Sequence, residues 1–175
     1  MKEIKGNLFE QEADLICITT NGFVKSNGCA VMGKGCAAEA KKRHPGIDTI
    51  LGSQISEHGN RVIGLIRGID DEPYRNLAAF PVKPVSERAI HDCLNVVSHM
   101  KSKFKPGDIV PGWACIADPG IIMRSAQQLV RYADSQGFKS IVIPRPGCGA
   151  GELKWADVKE ILENILDYRF SVITF

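Results

Sequence analysis

The stretch from Glu12 to Thr20, EADLICITT, is a nearly continuous apolar run rich in β-branched side chains. Such a run reads as a strand buried on both faces, which requires cover above and below the sheet. The rest of the chain supplies that cover. RVIGLIRG (Arg61 to Gly68), RNLAAFPV (Arg75 to Val82), KSIVIP (Lys139 to Pro144) and the closing RFSVITF read as further strands, with the thinly apolar MKEIKGN as an edge strand. Between them lie helical patterns. GKGCAAEAKKRHPG carries small apolar residues, a basic last turn and a Pro45-Gly46 stop. ERAIHDCLNVVSHMKSKF places Ile90, Leu94, Val97, Met100 and Phe104 on one helical face. In DPGIIMRSAQQLVRYADSQG, Asp118 is the expected N-cap before Pro119, and Gly137 suits the C-terminal cap. WADVKEILENILDY repeats Val158, Ile161, Leu162, Ile165 and Leu166 at helical spacing. Alternating strands and helices predict an α/β domain with a parallel or mixed sheet covered on both faces.

With 175 residues the chain fits one domain with a continuous core. A net charge of +2, evenly spread, does not argue for nucleic-acid binding from charge alone. No apolar run approaches a membrane span and the N-terminus lacks a signal-peptide core, so the expectation is a soluble cytoplasmic protein. The six cysteines contain no C-x-x-C and no compact Cys/His set; they read as reduced thiols, and metal chemistry is not suggested. His91 and His99 fall within the 87–104 helical pattern and read as surface residues. The segment Lys103 to Gly120 is rich in Pro and Gly, and reads either as a functional flap or as an irregular insertion.

Glycine is concentrated in two loops. One, SNGCAVMGKGC, follows the buried strand; the other, PRPGCGAGELKW (Pro144 to Trp155), follows SIVI and precedes a helix. Glycines let backbone N–H groups approach an anion, and a following helix N-terminus favours negative charge. Two such loops at two strand ends point to a phosphorylated ligand in one crevice. Gly28 to Lys34 satisfies G-x-x-x-x-G-K, but Gly35 stands where a P-loop needs a magnesium-binding hydroxyl, and NGFVKSN separates the loop from its strand. A nucleoside triphosphatase is therefore rejected.

These residues resemble the macro domains, a family that binds ADP-ribose. GNLFEQEADLICITTN is similar to the family's opening turn and first buried strand. VMGKGCAAEAKKRHP is similar to the loop and helix that follow, and IPRPGCGAGELKWADVKEILENIL to the second phosphate loop. The resemblance implies a three-layer α/β/α sandwich with a mixed central sheet. Within the family it leads to the terminal ADP-ribose glycohydrolases and the DNA ADP-ribosyl glycohydrolase antitoxins, with phage-encoded macro proteins similar too.

By the same resemblance, Asn7 and Leu8 lie near the adenine, with Asn7 where many relatives have aspartate; an amide carbonyl still accepts a hydrogen bond. Asn21 hydrogen-bonds the distal ribose. Met32, Gly33, Lys34, Gly35 and Cys36 wrap that ribose and the nearer phosphate. Pro146, Gly147, Cys148, Gly149, Ala150, Gly151 and Glu152 form the pyrophosphate loop. Lys83, in AAFPVKPV, corresponds to the lysine proposed in the DNA-directed branch to attack the anomeric carbon of the distal ribose. It must be uncharged to attack, which calls for burial or a nearby cation. Its alternative reading is a solvated lysine between Pro81 and Pro84.

The chain departs from the family in places. Gly151 stands where the protein-directed glycohydrolase has its catalytic aspartate, and Glu152 is offset by one. After Lys83 the chain reads KPVSE in place of the branch's K-x-x-W-R, then an extra helix before GWACIADP, which makes an insertion at about 86–117; Trp113 is a candidate replacement for the lost tryptophan. The expectation is a monomer without cofactor that hydrolyses ADP-ribose from modified DNA or protein. The alternatives are a non-catalytic reader and an ADP-ribose 1″-phosphate phosphatase.

Overall fold

In a computed structural model described over residues 1–174, a six-stranded mixed sheet lies between two helical layers. The strands are β1 (Lys2–Lys5), β2 (Leu15–Thr20), β3 (Ile63–Arg67), β4 (Asn76–Pro81), β7 (Ile141–Pro144) and β8 (Phe170–Thr174), in the order β1-β8-β7-β2-β4-β3. All neighbours are parallel except β3, which runs antiparallel to β4. The EADLICITT run becomes the central strand. Its side chains alternate between two cores, Ile16 and Ile18 into one and Leu15 and Cys17 into the other, and all four are fully buried. That alternation within an unbroken apolar run is why this strand must be covered twice.

Helices α1 (Gly35–Arg43) and α2 (Ile47–His58) close the first core through Ala37, Ala40, Ile47, Leu51 and Ile55. Sequence reading stops the helical pattern at Pro45-Gly46; α1 does end there, at its cap His44, yet Gly46, at φ +89°, is already the N-cap of the next helix. Ile47, Leu51 and Ile55 repeat every four residues and form the stripe that seats α2. Helix α3 (Pro119–Gln136) and α4 (Trp155–Glu163) close the second core through Ile122, Leu129, Val158 and Leu162. Asp118 caps α3, its Oδ1 accepting from the N–H of Gly120 at 2.6 Å and of Ile121 at 3.1 Å, and Gly137 ends it in the left-handed conformation. Asp118→Ala is expected to lower the stability by about 1 kcal/mol, read as a reduced urea midpoint at unchanged slope.

The helix predicted across Glu87 to Phe104 does not form. The segment holds β5 (Ser86–Arg88), which pairs antiparallel with β6 (Ile109–Pro111), and two short 3-10 turns, His91–Cys93 and Ser98–Lys103. Asp92 and Cys93 have positive φ, and the Asn95 side chain takes over backbone bonding. Its Oδ1 accepts from Ile90 N–H at 3.1 Å and its Nδ2 donates to the Arg88 carbonyl at 2.8 Å. Such side-chain bonds compete with a helical ladder. The expected apolar face is split: Ile90 and Leu94 are exposed, whereas Val97 and Met100 join Cys93, Val96, Val110, Ala114 and Cys115 in a small third core. Among the described residues no helix is long and apolar enough to cross a membrane.

Candidate functional site

The carboxyl ends of β2, β4, β7 and β8 open into one cavity of about 640 Å³. Its floor is Thr19 to Asn21, Val82 and Lys83, Pro144 and Arg145, and Ile173 and Thr174, each at or just past a strand end. In an open α/β sheet this is where ligands bind, because the loops that follow parallel strands all emerge on that side. Both glycine-rich loops face the cavity. From the first, Gly33, Lys34, Gly35 and Cys36 line it; from the second, Gly147, Cys148, Gly149, Ala150 and Gly151 do.

The second loop is folded tightly on itself. Leu153 N–H donates to the Gly147 carbonyl at 3.0 Å and Glu152 N–H to the Gly149 carbonyl at 3.0 Å, while the Gly151 carbonyl accepts from Ala117 N–H at 3.0 Å. The N–H groups of Gly149, Ala150 and Gly151 find no acceptor among the described residues. A Cβ added at Gly151 would lie 2.5 Å from the Gly147 carbonyl oxygen and 2.6 Å from the Ala117 Cβ, so the loop as folded has no room for a side chain there. The first loop delivers α1, whose N-cap residue Lys34 makes no side-chain cap, so the first-turn N–H groups are left for other acceptors. Adjacent unpaired N–H groups and a helix N-terminus suit an anionic ligand.

Lys83 follows β4 and is 6% exposed. Its Nζ donates to the carbonyls of Ala150 at 2.8 Å and Trp113 at 3.3 Å, and no carboxylate lies within salt-bridge distance among the described residues. Burial brings its pKa down to about 8; Lys34 adds to the effect, and Cys115 and Glu152 oppose it. A neutral amine satisfies both carbonyls with its two N–H groups and retains its lone pair.

Other predicted residues lie differently. Asn21 reaches the cavity, but its Nδ2 donates to the Val31 carbonyl at 2.9 Å and its Oδ1 accepts from Phe23 N–H at 3.0 Å, which pins the turn after β2. One N–H and one lone pair remain available. Asn7 caps the short turn Leu8–Glu10, its Oδ1 accepting from Phe9 N–H at 3.0 Å; Leu8 is fully buried beneath it. Asn7, Leu8, Met32, Pro146 and Glu152 stand outside the cavity lining. Met32 packs in the first core.

The cavity also gathers residues that sequence reading leaves aside. His99 reaches over from the 98–103 turn, its Nε2 3.0 Å from Lys34 Nζ. Arg145 lies over the Trp155 ring at 4.7 Å, and both donate to Glu3 Oε2 at 3.1 Å. Arg145 was within reach of sequence reading, since it stands inside PRPGCGAGELKW. His99 carried no such signal: its segment reads as a regular helix. Thr20 Oγ1, buried at the cavity floor, has no hydrogen-bond partner among the described residues.

A mixed six-stranded sheet between helical layers, with two glycine loops over the carboxyl ends of its central strands, is the macrodomain fold. No protein-family model matches the sequence, and no curated protein matches it either. Among solved structures, the macrodomain of Mycobacterium tuberculosis DarG is similar over 99% of this chain and 97% of its own, at 17% identity and a TM-score of 0.70. The macrodomain of Thermus aquaticus DarG shares 19% identity over 99% of this chain and 97% of its own, at a TM-score of 0.69. Thermosipho africanus DarTG, solved in complex with ADP-ribose, matches 98% of this chain with 41% of its own length, at 16% identity and a TM-score of 0.70. At such identities the likeness is one of fold.

Proposed function

We propose that the chain binds ADP-ribose in this cavity and hydrolyses it from a modified molecule, with Lys83 as the nucleophile. The observation that carries the reading is the Lys83 amine. It is buried at a strand end, held by two neutral carbonyls and lowered to about 8, so a useful fraction is uncharged near neutral pH. The free N–H groups of the second glycine loop support a pyrophosphate beside it. The ADP-ribose complex of the fold relative DarTG supports the ligand.

In the proposed reaction the Lys83 lone pair attacks the anomeric carbon of the distal ribose. The bond from that carbon to the modified atom breaks, its electron pair leaves with the modified molecule, and a proton from the lysine nitrogen compensates. The ribose ring opens to a Schiff base on Lys83, and water then releases ADP-ribose and restores the amine. The steric closure at Gly151 argues against an acid in that place, which favours the lysine route over an aspartate-based one.

Calorimetry with ADP-ribose, followed by incubation with ADP-ribosylated DNA and ADP-ribosylated protein side by side, tests the proposal. Binding with release of free ADP-ribose is expected. No binding at millimolar ADP-ribose would sink it. Binding without release from either substrate would make the chain a reader, and inorganic phosphate released from ADP-ribose 1″-phosphate would make it a phosphatase.

A further inference from the structure

Residues 86–114 form a strap with its own small core, and polar contacts join its far end to the cavity. Two adjacent residues make those contacts. His99 meets Lys34 of the first glycine loop. Ser98 meets Glu152 of the second: its N–H donates to Glu152 Oε1 at 2.9 Å and its hydroxyl to Oε2 at 2.7 Å. Glu152 does this from a left-handed backbone, φ +61°, a conformation that residues with a Cβ adopt at a cost. Glycine would be relaxed there. A side chain at such a place, spending both carboxylate oxygens on one neighbour, fits a fastener.

What it fastens is the seat of Lys83. The two carbonyls that receive Nζ come from the two parts joined by this bond: Trp113 from the strap and Ala150 from the glycine loop. We infer that Glu152 is a positioning residue for Lys83, its carboxylate clamping the strap to the glycine loop so that the Trp113 and Ala150 carbonyls hold the amine in place. This rests on the reading of Lys83 as nucleophile.

The charges around the amine give the clamp a second signature. The titratable side chains acting on Lys83 are Cys115, Glu152 and Lys34, with His99 beside both Lys34 and Glu152. Burial pushes the Cys115 thiol up to about 11, so near pH 8 it is neutral and Glu152 is the anion that favours the ammonium. Partial burial would raise the Glu152 carboxyl, but the bonds from Ser98, with His99 and Lys83 nearby, hold it below its ordinary value. It is therefore ionised across the range in which Lys83 titrates.

The test follows Lys83 directly, by the pH dependence of its acylation with acetic anhydride, read on the Lys83 peptide by mass spectrometry, alongside turnover of ADP-ribosylated DNA and protein. In Glu152→Gln the acylation midpoint is expected to move to lower pH by several tenths of a unit. In Ser98→Ala, which keeps the charge, the midpoint stays. Glu152→Gly relaxes the backbone, so its melting temperature is expected to hold or rise, while kcat at pH 9.5 falls about tenfold at constant KM. A midpoint in Glu152→Gln identical to that of the natural chain overturns the inference. So does a Glu152→Gly chain with undiminished kcat. If the natural chain turns over neither substrate, the hydrolase reading fails, and the acylation rate of the neutral amine at pH 9.5 still decides the clamp: it is expected to change in Glu152→Gly and in Ser98→Ala, and rates equal to that of the natural chain overturn the inference.

Discussion

Lys83→Ala is expected to reduce release of ADP-ribose from the modified substrate by on the order of 10³-fold, with ADP-ribose affinity changed little. The side chain ends against Ala150 and Trp113, so its loss removes the amine without opening either glycine loop. Single-turnover kinetics and calorimetry on one preparation separate the two effects. The pH profile gives an independent check. The reactive form is the neutral amine, whose population grows as pH rises through about 8. Below that value, turnover at saturating substrate is expected to fall about tenfold per pH unit, while ADP-ribose binding follows no such limb. Turnover that survives the substitution would make Lys83 a structural residue and the chain's chemistry something else.

Gly151→Ala is expected to weaken ADP-ribose binding about 10- to 100-fold, the equivalent of one charge-assisted hydrogen bond of roughly 1.5–3 kcal/mol. A Cβ at this position meets the Gly147 carbonyl oxygen and the Ala117 side chain, which belong to the loop itself and to the approach to α3. The loop must shift, and its unpaired N–H groups at 149 to 151 shift with it. The overpacking also costs stability, on the order of 1–3 kcal/mol. Calorimetry with ADP-ribose on Gly151→Ala beside the natural chain reads the loss, and an unchanged affinity would take the N–H groups of this loop out of the binding site.

The layered fold was legible because its signals are local. EADLICITT alternates into two cores, Asp118 and Gly137 bound α3 through their own caps, and the strand runs coincide with strands to within a few residues. The helix expected over Glu87 to Phe104 does not form, for an equally physical reason. Ile90, Leu94, Val97, Met100 and Phe104 do carry helical spacing, but β5 pairs with β6, the Asn95 side chain bonds the backbone at Arg88 and Ile90, and Asp92 and Cys93 take positive φ. A periodicity count cannot see a partner strand that comes from elsewhere in the chain. Helix α2 was missed for the opposite reason. Pro45-Gly46 is a true stop, but the chain restarts at once on the other side of it.

The candidate site divides along the same line. The two glycine loops could be picked out from sequence, since strand-then-glycine-then-helix is a local pattern; Lys83 stands out only through the resemblance of AAFPVKPV to the lysine segment of the DNA-directed branch, because by itself a lysine between two prolines reads as solvated. Their meeting in one cavity depends on the strand order β8-β7-β2-β4, with all four carboxyl ends on one side, and no local pattern encodes that order. The lowered basicity of Lys83 likewise comes from burial beneath carbonyls distant in the chain, at positions 113 and 150. Glu152 shows the division in a single residue. Its sequence position made it an acid displaced by one from a catalytic place; the tertiary structure turned it away from the cavity and onto Ser98. Sequence by itself determined which segments are strands and where backbone N–H groups can gather, because those depend on near neighbours. Which charges meet, and which amine loses its water, was decided by packing across the fold.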